Sequence, residues 1–547
     1  MQSVPARSRS NISRLVSVLG SLVVLCVALA NLQLPHSQAE SATITVSDTV
    51  LGHTTTYIGA TEGGSFDIDD LTDCDISTYR IWIGMSDVEY CDDDDPRGYI
   101  WECDQGGNTN YGSPTSATIK ANPNVIDWNA WDVHINDPGY RWRTSKNPDT
   151  AFGTMVGALS ANGIIPVLTL RNRDENDWPA WAPDPPMTTA DLNEWWQYCF
   201  AVAYWFNVRN SYGVTHFEVH NEPDLSSQGW SGTEAQYAQL LVPYAYDAVK
   251  TANDLAGIDT FIMASVESQM PFPRTYNYFD DVFNDADSYI EIADFHWYHM
   301  NGTYPLSDLE AAIDDVRGQI TAHNPDGVIE PLWVSEYGNF SSNAYDNLRE
   351  AIRTAQQLMI FSNKEVQGVH IFTFYDWGGS PGLVKASGTP TETYYAYRLM
   401  IRGLIGGKER LDHTASGFSS TTRTMVTRDA EYVYVIVLRD DVGETGTVSV
   451  DLTALGSGSG TVTVWEYSAV NKDVVVQMPT MTNGQFTFTA PADGISLART
   501  EGGPTRVQLS GLKARSAEGW PWAVLVMLLL GVVGAVLTLR LCLRGAK

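Results

Sequence analysis

The chain has 547 residues, with 34 Lys and Arg against 65 Asp and Glu, a formal charge of −31. That is too long for one ordinary domain. So acidic a surface repels nucleic acid and anionic membrane surfaces, and it suits a neutral partner or plain solubility.

Taken in chain order, Arg7, Arg9 and Arg14 precede an apolar run from Leu15 to Leu32, and Ser37 and Ala39 form a small-x-small cleavage signal. Residues 1–39 are expected to be a secretory signal peptide, cleaved or kept as an anchor. Of the six cysteines, Cys26 and Cys542 belong to the apolar ends. Cys74, Cys91, Cys103 and Cys199 remain, an even number that suits an oxidising compartment. Cys91 and Cys103 bracket "DDDDPRGYIWE" and could close that loop, but the sequence leaves the pairing of the four open. Their spacing fits no zinc pattern. Asp92 to Asp95 could hold calcium, although a run of acids is more often a solvated loop.

From about 75 to 404, short apolar runs alternate with helical patterns. The expected strands are "TYRIWIG" (78–84), a weak one at "WDVHI" (131–135), "IIPVLTL" (164–170), "THFEVH" (215–220), "TFIMASV" (260–266), "IADFHW" (292–297), "PLWVSE" (331–336) and "GVHIFTF" (368–374). Helical stretches such as 233–256, 307–323, 342–363 and 391–403 lie between them. Eight strands alternating with helices argue for a (β/α)8 barrel over 40–404. A doubly wound open sheet is the rival, but no Gly-rich phosphate turn follows any strand. After Gly406 the texture changes to short alternating runs parted by Gly, Asp and Asn, as in "EYVYVIVLRD" and "GTVTVWEYSA". Residues 405–500 are therefore expected to form a β-sandwich. A linker over 501–518 leads to Gly519–Leu539, 21 uncharged residues that just span a bilayer core as a transmembrane helix. Trp520 and Trp522 would sit at its outer interface. The basic tail 540–547, with Arg540, Arg544 and Lys547, then lies in the cytoplasm. The bulk of the chain is expected to be exported and membrane-anchored, on the extracytoplasmic side.

Barrel chemistry sits at the C-terminal ends of the strands, and two such ends carry a carboxylate. Glu222 follows the fourth strand in "FEVHNEPD", and Glu336 closes the seventh in "PLWVSEYG". Strict alternation turns Phe217 and Val219 to the helix layer and Glu218, His220 and Glu222 to the axis. On the seventh strand it turns Leu332, Val334 and Glu336 inward. Two glutamates can thus meet over the barrel mouth, the arrangement that glycoside hydrolysis requires. The 17 Trp and 26 Tyr add flat platforms with polar handles, beside their ordinary use in packing. His216 and His220, four apart, imitate a zinc-protease motif, but the glutamate is third rather than second and the segment alternates as a strand.

Asn221-Glu222-Pro223 with Glu336, together with "DFHWY" (294–298) and "FTFYDW" (372–377), resembles the clan A glycoside hydrolases, loosely nearest to family 39 and its relatives. The resemblance covers about 75–404. It implies a retaining double displacement on an extracellular oligo- or polysaccharide, with no cofactor and no metal. Glu222 would be the general acid/base and Glu336 the nucleophile, about 5 Å apart. Asn221 would hold the sugar 2-hydroxyl, Tyr298 the nucleophile, and Trp377 the underside of the ring. His296 would line the same subsite. Arg80, read as inside the first strand, would neutralise Glu218 or reach the site. His220 replaces the aromatic residue often found before this Asn and is kept as a substrate-side candidate. Trp178 and Trp181, in "TLRNRDENDWPAWAPDPP" (169–186), would wall the groove. The alternative from another class is a non-catalytic surface polysaccharide-binding protein, which would keep the aromatic cleft and lose one carboxylate.

Overall fold

Eight parallel strands close into a barrel in the computed structural model of the protein, and a second sheet follows it. The structure describes residues 41–500 apart from 89–113, 137–149, 172–185, 226–229, 269–277, 300–304, 324–326, 329, 340, 342–343, 378 and 441–444. The leading strand β1 (Ser41–His53) stands outside the barrel. The staves are β2 (Tyr57–Thr61), β3 (Thr78–Gly84), β4 (Ile165–Arg171), β5 (His216–Val219), β6 (Phe261–Glu267), β7 (Ile292–His299), β8 (Leu332–Asn339) and β9 (Gly368–Ile371). The expected (β/α)8 barrel with a trailing β domain is therefore the architecture of the chain.

Two strand assignments change. "WDVHI" lies in a helix, Trp128–Asn136, because Trp128, Trp131 and Ile135 recur at helical spacing and are buried while Val133 is exposed. The first stave is instead β2, a five-residue strand whose buried face shows no alternation. Gly59 sits within it because a Cβ there would lie 2.2 Å from the Thr78 carbonyl. Arg80 is consequently on the second stave, while Glu222 still follows the fourth and Glu336 still lies on the seventh.

The helices start and stop where local chemistry directs. Thr188 and Asp191 form a reciprocal capping box at the head of Thr189–Tyr204, at 2.7 and 3.2 Å. Asn347 caps Leu348–Asn363 through the Glu350 N–H at 2.8 Å. Val242–Ala256 ends at Gly257, whose φ of 69° is the left-handed stop.

The β domain comprises β10 (Glu409–Ser416), β11 (Arg423–Arg428), β12 (Val433–Asp440), β13 (Gly446–Asp451), β14 (Gly460–Ser468), β15 (Lys472–Gln477), β16 (Thr480–Met481), β17 (Gln485–Ala490) and β18 (Asp493–Thr500). The sheet runs β15-β14-β18-β12-β11-β10-β1-β13-β17, so β1 belongs here although the sequence placed residues from 40 onward with the barrel. Val462 and Val464 of β14 share one apolar core with Phe486 and Phe488 of β17. Strands from both ends of the order thus enclose that core, and the sandwich is one sheet folded over on itself.

Cys74 is a buried free thiol and Cys199 is buried. Cys91, Cys103 and the Asp92–Asp95 loop lie outside the described residues. So do the expected signal peptide, the linker, the apolar segment 519–539 and the basic tail. Among the described residues no helix is long and apolar enough to cross a membrane.

Candidate active site

The barrel interior is layered. Its floor is apolar, built from Tyr57, Val167, Met263, Ile292 and Trp333. Above it, Arg80 is fully buried and reaches three partners. Its Nε donates to Glu218 Oε2 at 2.7 Å, one terminal nitrogen donates to Asn221 Oδ1 at 2.8 Å, and the other bonds Glu336 Oε1. The Thr169 hydroxyl also donates to Glu218 Oε2, at 2.5 Å. Burial alone would raise the Glu218 carboxyl, but the Arg80 guanidinium outweighs it and holds it at about 2.

At the mouth, one oxygen of Glu222, one of Glu336 and a ring nitrogen of His296 all lie within 4.8 Å of one another. His296 Nδ1 is 2.8 Å from Glu222 Oε1 and 3.5 Å from Glu336 Oε2. The Tyr298 hydroxyl donates to Glu336 Oε2. Glu222 is 7% exposed; burial, with the Asp224 charge added, pushes its carboxyl up to about 8, so it holds a proton at neutral pH. Burial lowers His296 and keeps its imidazole neutral. Burial and the Glu336 charge raise the Tyr298 phenol well above its ordinary value, which fixes it as a donor.

Two backbone devices aim the carboxylates. His220 and Glu222 have φ values of 67° and 46°, so the chain turns sharply as it leaves β5. That turn breaks the alternation expected of His220. Its ring is fully buried, packs edge-on against Trp230 at 6.2 Å, and donates from Nδ1 to the Asn221 carbonyl at 2.9 Å. His220 therefore braces the turn that carries Asn221 and Glu222. On β8 the inward set begins with Trp333, while Leu332 and Val334 join the outer core, the reverse of the sequence expectation. An irregularity at Ser335 lets Val334 pair Phe295 and Glu336 pair His296, which turns Glu336 inward.

Arg80, Asn221, Glu222, His296, Tyr298 and Glu336 are thus brought together. Trp377 stands at the rim, half-buried, with its ring 5.6 Å from Trp82 and 6.1 Å from Phe372. A pocket of about 370 Å³ opens beside it, lined by Trp377, Tyr345, Asp346, Ser380 and Lys385. Trp178 and Trp181 lie outside the described residues. Sequence reasoning missed Trp82, whose indole N–H donates to Asn221 Oδ1 at 3.3 Å. Its parity with Arg80 in "TYRIWIG" was the available signal. It also missed Asp294, which is fully buried on β7.

Glu222, His296 and Glu336 offer three ligand atoms to a cation. The Arg80 charge on Glu336 and the proton on Glu222 oppose one, and the arrangement favours a neutral ligand that can accept a proton. A protonated carboxyl group and a guanidinium-bound one thus lie with oxygens within 4.8 Å of each other.

No known family profile matches the chain, and no curated protein matches it. Solved structures do share its fold. The chain aligns with a glucosidase from Croceicoccus marinus at TM-score 0.61 and 14% identity, over 85% of this chain and 99% of that one. A family 30 endoxylanase from Clostridium papyrosolvens C71 aligns at TM-score 0.55 and 14% identity, over 84% and 100%. A family 39 enzyme from Xanthomonas axonopodis pv. citri aligns at 0.57 and 12%, over 85% and 98%. At these identities the likeness is one of fold: the chain shares its barrel and trailing β domain with solved glycoside hydrolases, among them enzymes of families 30 and 39.

Proposed function

We propose that the protein is a retaining glycoside hydrolase acting on a neutral oligo- or polysaccharide outside the cytoplasm. The observation that carries this reading is the pair Glu222 and Glu336, with oxygens within 4.8 Å and opposite electrostatic surroundings. Glu336 attacks the anomeric carbon as the nucleophile while Glu222 gives its proton to the leaving oxygen. Glu222 then takes a proton from water, and that water releases the sugar from Glu336. Arg80 and Tyr298 hold both oxygens of Glu336, so the attacking carboxylate enters the reaction already oriented. Asn221, fixed by Arg80 and Trp82, presents its amide to the sugar 2-hydroxyl. Trp377 supports the ring from below.

The linkage is tested on aryl xylosides and glucosides and on xylan and glucan, because the structural neighbours include a glucosidase and a xylanase. Glu336→Ala is expected to abolish turnover. Glu222→Ala is expected to spare the first step on substrates with good leaving groups and to slow the second. Equal residual activity in the two variants would overturn the assignment. Bound polymer without any new reducing ends would favour the non-catalytic binding protein instead. The location follows from the apolar ends of the sequence: residues 1–39 as the export signal and 519–539 as the anchor. Membrane-fraction blotting with external protease protection checks it.

A further inference from the structure

Beneath the glutamate pair lies a second pair of carboxyl groups that the proposed chemistry does not use. Asp294 on β7 and Glu218 on β5 are both fully buried. Asp294 Oδ1 accepts the Ser335 N–H at 3.0 Å, and Glu218 Oε2 is filled by Arg80 and Thr169. Their remaining oxygens, Asp294 Oδ2 and Glu218 Oε1, meet no N–H or hydroxyl donor. The two carboxyl groups nevertheless lie within reach of a hydrogen bond to one another. Two carboxylates cannot make that bond; a carboxylic acid and a carboxylate can.

The groups around this pair limit its charge. Arg80 reaches in from β3, His296 lies on β7 itself, and Glu336 lies on β8. Tyr237, whose hydroxyl donates to the Val219 carbonyl at 2.7 Å, stands behind β5. Arg80 is the one cation among them, and it serves Glu218 and Glu336 together. A third ionised carboxyl in this dry layer would have no counter-charge.

We infer that Asp294 is a positioning residue, holding a proton shared with Glu218 so that Arg80 stays on Glu336, and fixing through Ser335 the kink that turns Glu336 inward. This rests on the catalytic reading of Glu336, but the shared proton itself does not. Asp294 joins both tasks because one oxygen binds the irregular Ser335 N–H and the other faces Glu218. Burial and the neighbouring Glu218 charge raise the Asp294 carboxyl well above its ordinary value, in agreement with that placement.

The first test needs no substrate. In the full chain carrying Glu222→Gln, infrared difference spectra at neutral pH in H2O and D2O should show a carbonyl stretch from a buried protonated carboxyl group. Adding Asp294→Asn should remove it. A stretch that survives Asp294→Asn, or none in the Glu222→Gln chain, would overturn the shared proton whether or not the protein hydrolyses any glycoside. The second test uses turnover. An asparagine can still accept from Ser335 and donate to Glu218, so Asp294→Asn should stay within about fivefold of the parent kcat. Asp294→Ala should lose about a hundredfold in kcat with little change in KM, because it misplaces the nucleophile rather than the sugar. Equal losses in the two variants at matched melting temperature, or an unimpaired alanine variant, would overturn the positioning role.

Discussion

At the scale of single residues, the site depends on one carboxyl being kept neutral where its neighbour is oriented for attack. Glu222 titrates at about 8 because burial and Asp224 both disfavour its charge. As the acid it must hold its proton, so kcat/KM should fall as pH rises through about 8, tenfold per unit beyond it. A pH profile on a substrate with a poor leaving group measures this, and an alkaline limb near 5 would refute it. The same shift has a consequence for stability. Between the ordinary value of 4.5 and about 8, the folded chain holds a proton that the unfolded chain has lost. Stability from this group is therefore complete below 4.5 and declines as pH rises to about 8. Glu222→Gln removes the dependence, so its melting temperature relative to the parent should climb from pH 5 to pH 8. A difference that stays flat across that range would contradict the burial argument.

At the scale of elements, the sequence carried most of the barrel and the identity of the central pair, and it failed where alternation is broken. Seven staves, the main helices and the Asn221-Glu222-Pro223 turn were legible from apolar period and capping chemistry. The first stave, β2, was hidden because five residues buried on both faces show no period of two. Trp128–Asn136 was misread because Trp131, Val133 and Ile135 alternate as in a strand, while Trp128, Trp131 and Ile135 recur as in a helix. Glu336 was placed inward from the wrong register: Leu332 and Val334 point out, and the irregularity at Ser335 restores the inward aim. His220 departs from the strand for a related reason, since its positive φ ends the extended backbone that alternation assumes. No alternation rule can foresee such local departures, which gather where side chains must be re-aimed. Lower in the barrel the rule holds and can be tested. Gly368 lies beneath the Trp333 indole, and a Cβ there would stand 2.2 Å from that ring. Gly368→Ala should displace Trp333 from the floor and cost about 1–3 kcal/mol, read as a lower urea midpoint. An unchanged midpoint would mean that the floor is less closely packed than these contacts require.

At the scale of the whole molecule, the two sheets are bound by covalent path and by burial. Among the described residues the chain runs from β1 in the β domain into the barrel at β2, and returns after the helix Glu392–Leu404. Ile436, Leu438, Ile495 and Leu497 of the β domain belong to the same apolar cluster as the barrel's outer layer. Arg398 and Arg402, on that last barrel helix, both bond Asp473 of β15, whose side chain is wholly buried. These features predict one cooperative unfolding transition rather than two. Asp473→Ala leaves Arg398 with Asp73 and Arg402 with Asp75 at 4.0 Å as their remaining carboxylates. Complete burial of such a broken pair costs about 3–5 kcal/mol. Arg398 and Arg402 keep 16% and 27% of their side chains exposed, so solvent offsets part of that cost. The expected loss is about 2–3 kcal/mol in a single shifted transition, followed by barrel tryptophan fluorescence and far-ultraviolet dichroism together. If the two signals separate, with the β-domain signal lost first and barrel fluorescence unmoved, the seam is an ordinary domain contact and the β domain does not stabilise the barrel that carries Glu222 and Glu336.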